Sequence, residues 1–209
     1  GEGTKDAAPE LYEDERVGKG KGVIMDIAVD PLEGTTNTAF GYPNAMSVIV
    51  AGAKNTLMPM PASKFYIEKL AVGPQAASVI DIEAPVKDNI QKTAKALGKS
   101  IKELTVVVLE RERHAGLIVE LRNAGVRIRL INAGDLAYGI ATCTPESGID
   151  MLMGIGGTPE AVLGAVATKV MGGQMLCRFP KEKKVYSADD LAKGNQLTFT
   201  ATGVIDGPL

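Results

Sequence analysis

The run Val23-Ile24-Met25-Asp26-Ile27-Ala28-Val29 leads straight into Asp30-Pro31-Leu32-Glu33-Gly34-Thr35, and this junction constrains the fold more than any other stretch. The apolar run predicts a buried strand. Asp26 interrupts it and Asp30 ends it. A buried carboxylate is costly unless its charge is compensated. A divalent cation does this for several carboxylate oxygens at once. Pro31 stiffens the exit, and Gly34 lets the backbone approach a ligand closely. Thr35 adds a hydroxyl and an N–H where the chain turns. The segment thus sets acidic metal ligands beside a donor-rich turn for an anion, the combination that phosphoryl chemistry requires.

Composition excludes several alternatives. A chain of 209 residues with 45% apolar content can bury a substantial core as one large domain or two lobes. The net charge of −2 provides no basic field for nucleic acid. No apolar run approaches the ~20 residues that span a bilayer, and no leader peptide is apparent. Cys143 and Cys177 lack metal-ligand spacing and read as reduced core thiols of a cytoplasmic protein.

Along the chain, residues 1–20 are polar and acidic, and Glu2 sits between two glycines. Residues 45–51 predict a strand antiparallel to the first, and 65–72 a third strand containing Tyr66. Glu83-Ala84-Pro85 marks a boundary, giving a lobe at 1–82 and a second at 83–209. The second lobe alternates. A helix carries Ile90, Ala94 and Leu97 and stops at Gly98. A strand spans 105–109, and a helix carrying His114, Leu117, Ile118 and Leu121 ends at Gly125. A half-exposed strand spans 126–131, a short helix 135–143, and a strand 149–155. A last helix opens on Thr158-Pro159. Residues 197–202 predict a strand returning to this second lobe. The whole is an α/β chain, with α and β elements in stacked layers.

Ligands of open α/β sheets collect beyond the carboxyl ends of strands. Three loops lie there: Arg111-Glu112-Arg113; Asn132-Ala133-Gly134-Asp135; and Gly156-Gly157, just before a helix N-terminus that attracts anions. Each has a plainer reading. The arginines could be solvated, Asp135 could cap a helix, and Glu160 could only be answering the helix dipole. His114, the single histidine, is expected to pack or position rather than touch a ligand.

The Asp30–Thr35 stretch resembles the signature of the lithium-sensitive, metal-dependent sugar phosphatase superfamily, which includes inositol monophosphatases and fructose-1,6-bisphosphatases. Four further stretches resemble class II (GlpX-type) fructose-1,6-bisphosphatases. These are Gly1-Glu2-Gly3 with Asp6-Ala7-Ala8-Pro9 and Leu11-Tyr12; Tyr66-Ile67-Glu68-Lys69-Leu70; Arg111-Glu112-Arg113-His114; and Gly154-Ile155-Gly156-Gly157-Thr158-Pro159-Glu160. The resemblance implies a sugar phosphatase fold, two mixed β-sheets layered with helices in the order α-β-α-β-α. It implies hydrolysis of the 1-phosphate of fructose 1,6-bisphosphate, with Mn²⁺ or Mg²⁺ on Glu2, Asp30, Glu33 and Glu160, and Asp6 supporting Glu2. Thr35 would act in catalysis with Asp30 and Glu33. Glu33, Gly34, Thr35, Tyr66, Arg111, Glu112, Arg113, Ala133, Gly134, Asp135 and Gly157 would bind substrate. A cytoplasmic homo-oligomer, dimer or tetramer, is implied.

This chain departs from the family pattern in places. Arg111 stands where the family has lysine, Glu112 where it has proline, and Ala133 replaces the first acid of an Asp-Gly-Asp run. The family also carries a helical segment with another acidic ligand before Gly-Glu-Gly, and a further strand beyond Leu209, so both are expected to be missing here. Alternatives are a bifunctional enzyme also taking sedoheptulose 1,7-bisphosphate, an inositol-monophosphatase-like enzyme, and a catalytically inactive sugar-phosphate-binding protein.

Overall fold

The computed structural model describes residues 10–61 and 63–206. Glu2 and Asp6 lie outside the described residues. Two sheets organise the rest. In the first, β1 (Met25–Glu33), β2 (Met46–Ala53) and β9 (Leu197–Gly203) run antiparallel in the order β1-β2-β9. In the second, β3 (Tyr66–Val72), β4 (Thr105–Leu109), β5 (Arg127–Ile131), β6 (Met151–Gly157), β7 (Gln174–Arg178) and β8 (Val185–Tyr186) take the order β5-β4-β6-β3-β7-β8. Both β5 and β6 lie parallel to β4, while β3 pairs antiparallel with β6 and β7, so the sheet is mixed.

Among the described residues, the helices at 86–97, 115–124, 135–141 and 159–170 fall where periodicity and caps put them, while those at 35–40 and 188–191 carried no sequence expectation. They are α1 (Thr35–Phe40), α2 (Val86–Leu97), α3 (Ala115–Ala124), α4 (Asp135–Ala141), α5 (Pro159–Val170) and the one-turn α6 (Ala188–Leu191). Gly98 and Gly125 close α2 and α3 in the left-handed conformation, as expected of glycine at those stops. The nearly all-apolar α5 is buried on most sides because both sheets bear on it. Its Ala161 and Ala165 join the core with Ile67, Leu152 and Met175, and its Leu163 and Val166 join that with Val48 and Val50. Layers of helix and sheet thus agree with the expected α/β sandwich. Cys143 and Cys177 are both buried and free, and burial pushes the Cys177 thiol up to about 12, an unreactive state.

Several expectations change. The run at 23–29 is not a buried strand: β1 begins at Met25, Val23 is 88% exposed, and Met25 and Ile27 lie open. β1 is an edge strand, and helices cover only one face of its sheet among the described residues. Asp26 is compensated without a cation, because its carboxylate accepts the Thr56 and Leu57 N–H groups at 2.9 and 3.3 Å. The strand also continues past Pro31 to Glu33, through a register shift between Asp30 and Glu33. A proline is tolerated there because an edge strand has a free side.

The tail strand β9 returns to the first sheet, beside β2, and not to the second lobe. β6 runs to Gly157, so Gly156 and Gly157 are its last residues and not a loop after it; pairing with Ile67 and Tyr66 extends the strand. β7 carried no sequence expectation. The expected boundary near residue 82 falls in the turn before α2, and three strand ladders cross it. β3 pairs with strands of the second part, and β9 pairs with β2.

Candidate active site

The parallel strands β4, β5 and β6 point their carboxyl ends the same way, which sets residues 110–114, 132–135 and 157–160 at one edge. β1 delivers Asp30 and Glu33 to that edge. The register shift between them lets both carboxylates turn inward: Asp30, Glu33 and Glu160 each place an oxygen within 4.8 Å of the others. Glu160 arrives from the first turn of α5. Three of the four expected metal ligands therefore converge; the fourth, Glu2, lies outside the described residues.

This cluster fits a divalent cation by its own electrostatics. Glu160 Oε2 is buried without a hydrogen-bond partner among the described residues. Burial first, then repulsion from Asp135, Glu160 and Asp30, holds the Glu33 carboxyl well above its usual range. Burial raises Glu160 too, against the pull of Lys69. Carboxylates held in this way bind a hard cation and give up protons on doing so.

Beneath them lies a cation of the chain itself. Lys69, in the middle of β3, is 4% exposed and donates to Asp135 Oδ2 at 2.9 Å. Burial opposes its charge, but Asp135 and Glu160 outweigh this and hold its pKa above the usual value. Asp135 opens α4 and is itself buried, with its carboxylate turned inward. A Cβ on Gly156 would lie 2.2 Å from Asp135 Oδ2 and 3.0 Å from Lys69 Nζ, so only glycine fits there. The cavity against which this pair sits has a volume of about 10 Å³, room for roughly one water and not for a sugar. The Asp135 oxygen bonded to Lys69 is thus committed to the interior, which leaves the other oxygen for the expected contact with the sugar.

The turn after Glu33 is equally tight. Gly34 has φ +82°, and a Cβ there would come within 3.3 Å of the Asn44 carbonyl. Gly134, before Asp135, repeats the conformation at φ +79° against the same carbonyl and the Asn37 amide. The Asn37 amide donates to the Pro43 and Ala133 carbonyls at 2.9 and 3.3 Å, tying α1 to the 132–135 loop. Asn44 donates to the Tyr138 hydroxyl. Thr35 is exposed at the start of α1, and its hydroxyl makes no hydrogen bond among the described residues.

The expected substrate grips divide in two. Arg113 donates through Nε and Nη2 to the Ile155 carbonyl, at 3.1 and 2.8 Å, and its guanidinium lies 4.8 Å from the centre of the Tyr66 ring. Tyr66 is half exposed, so the two present one open, cationic-aromatic surface. Arg111 instead donates to the Glu110 and Asn132 carbonyls, bracing the loops after β4 and β5. Glu112 is exposed, and Gly157 packs over Glu160, where a Cβ would fall 2.0 Å from Oε2.

Sequence reasoning assigned no role to Lys69, Asn37 or Asn44. Lys69 did leave a signal: at the two-residue strand period it shares a face with Ile67 and Ala71, and a lysine buried there needs an opposite charge. The two asparagines left none, since their partners are backbone carbonyls and a tyrosine remote in sequence.

A family profile described as bacterial fructose-1,6-bisphosphatase, glpX-encoded, matches residues 1–209. The chain is 38% identical over 237 aligned residues to the class 2 fructose-1,6-bisphosphatase of Haemophilus influenzae, covering all of this chain and 71% of that protein. It is 40% identical to fructose-1,6-bisphosphatase 1 class 2 of Escherichia coli K12, covering all of this chain and 70% of the relative. The converging carboxylates, the glycines that admit them and the full-length match lead to one conclusion: the chain belongs to the glpX-encoded bacterial fructose-1,6-bisphosphatase family.

Proposed function

We propose that the protein hydrolyses the 1-phosphate of fructose 1,6-bisphosphate, giving fructose 6-phosphate and phosphate, a gluconeogenic step. The convergence of Asp30, Glu33 and Glu160 carries this reading. Glu2 would complete a set holding Mn²⁺ or Mg²⁺. Such a cation, when bound, neutralises phosphoryl charge and makes water a better nucleophile. The chain's own residues do the rest. Glu33 and Glu160 fix the ligand geometry from a rigid strand end and a helix start. Gly34 keeps the backbone low enough for the scissile phosphate to approach. Thr35 offers a free hydroxyl to orient water or protonate the leaving oxygen. Arg113 and Tyr66 hold the distal phosphate and sugar, with Arg111 shaping the adjoining loops. The reading carries a cytoplasmic location, with which two free buried thiols are in keeping, and a homo-oligomer.

Phosphate release from fructose 1,6-bisphosphate with Mn²⁺ tests the proposal directly; no release by metal-loaded protein would favour a binding role without catalysis. Asp30→Asn is expected to keep the fold and to weaken Mn²⁺ binding by about tenfold or more. Calorimetric titration measures this, and unchanged affinity removes Asp30 from the ligand set.

Arg113→Ala is expected to raise KM for the bisphosphate about tenfold while kcat stays within a few fold, because a distal phosphate is held alike in the ground and transition states. A monophosphate substrate should barely register the change. Equal losses on both substrates would contradict a distal-phosphate role.

A further inference from the structure

The ladder between β4 and β6 is short. Val106 pairs with Met151 and Val107 with Leu152, and no later residue of β4 pairs with β6. Beyond that point a side chain spans the strands. His114 Nδ1 lies 2.7 Å from the Leu109 carbonyl at the end of β4, and its Nε2 lies 2.7 Å from the Ile155 N–H of β6. A carbonyl can only accept and an N–H can only donate, so the imidazole is neutral, with its proton on Nδ1. Gly154 makes room for the ring: its φ is +140°, and a Cβ there would stand 3.0 Å from Nε2. The adjacent Arg113 takes the other polar group of the same residue, the Ile155 carbonyl. Consecutive side chains thus engage both the N–H and the carbonyl of Ile155.

We infer that His114 is a positioning residue, whose imidazole fixes Ile155 so that its carbonyl can hold the Arg113 guanidinium over Tyr66. The inference rests on the proposed hold of Arg113 on the distal phosphate. Without the ring, β6 loses the N–H bond that sets the direction of Ile155, and Arg113 loses a fixed acceptor. The device requires a neutral imidazole, since a protonated ring would turn an N–H toward the Ile155 N–H. Burial, first, favours neutrality, and so do Arg113 and Arg111; the Leu109 carbonyl and Asp135 oppose it. Among the described residues, these two arginines, on the loop leading to His114, and Asp135, on α4, are the charged groups that bear on the ring.

The single histidine makes the test direct. With ¹⁵N-histidine labelling, the full chain at pH 7.5 is expected to show one imidazole in the Nδ1–H form; the Nε2–H form or a rapidly averaging ring would overturn the inference. In kinetics at saturating Mn²⁺, His114→Gln is expected to raise KM for fructose 1,6-bisphosphate about tenfold while kcat changes less than about threefold. Addition of His114→Gln to Arg113→Ala should then cost nothing further. Independent multiplication of the two effects would overturn the coupling. If Arg113→Ala leaves KM unchanged, the distal-phosphate reading falls, and the labelled spectrum still judges the clamp by itself. Should His114→Gln not fold, the native chain's KM for the bisphosphate must rise as the labelled ring titrates, with no parallel rise for a monophosphate. Failure of the two to coincide would count against the inference.

Discussion

Lys69→Met is expected to destabilise the metal-free protein by about 3–5 kcal/mol, the usual result of removing one partner from a buried ion pair. For a chain of this size that is roughly 6–20 °C in Tm. Methionine matches the length of the lysine stem, so lost packing is small and the change isolates the charge. The variant leaves Asp135 buried without its cation, beside Glu33 and Glu160, whose carboxyls are already held above their ordinary range. The pH dependence follows from these shifts. The raised pKa of Lys69 keeps its own contribution intact below the unfolded lysine value, about 10.4. At neutral pH the variation therefore comes from the acids. A carboxyl whose folded pKa is raised supports the fold fully below its unfolded value and loses that support as pH rises through the folded value. Metal-free protein should accordingly lose stability as pH climbs above about 4.5, and Lys69→Met should lose more. Mn²⁺ should restore part of the loss by neutralising Glu33 and Glu160. Thermal unfolding at pH 5 and pH 8, with and without Mn²⁺, measures all of this. An unchanged Tm at pH 8 would mean that methionine replaces the pair without penalty, and that Lys69 is not needed against the acidic cluster.

Thr35→Ala is expected to lower kcat by about 10²–10⁴-fold, the range of positioned proton transfer. The structure assigns the hydroxyl little else to do. Thr35 is exposed and makes no side-chain cap, so its removal should alter stability by no more than about 0.5 kcal/mol. It directly follows Gly34, whose left-handed turn carries the chain from Glu33, a member of the carboxylate cluster, into α1. KM and Mn²⁺ affinity should remain near those of the native chain. Thr35→Ser retains the hydroxyl and should retain a measurable part of turnover. If serine is as inactive as alanine, the methyl group or local packing matters. If alanine keeps near-native kcat, Thr35 is a turn residue, and water is activated without it.

The local sequence determined a good deal. Strand patterns at 45–51, 65–72 and 105–109, the helix that stops at Gly98 and the Thr158-Pro159 helix start depend on propensity and capping, which act over a few residues. The acidic identity of the site was legible too: Asp30 and Glu33 stand beside Pro31 and Gly34, and the family resemblance added Glu160, which follows Pro159. The exposure of β1 was not legible. Periodicity shows that residues are apolar but not whether a second layer covers them, and here helices cover one face among the described residues. The return of β9 to β2 was likewise undetermined, since an isolated strand pairs equally well with any free edge. The destination of Asp135 was decided only by Lys69, 66 positions away in sequence, and that of Arg113 only by the Ile155 carbonyl, 42 positions away. Charge and hydrogen-bonding capacity are properties of a residue and can be read from the chain. The partner that satisfies them is fixed by how strands line up side by side, and that is a property of the folded sheet alone.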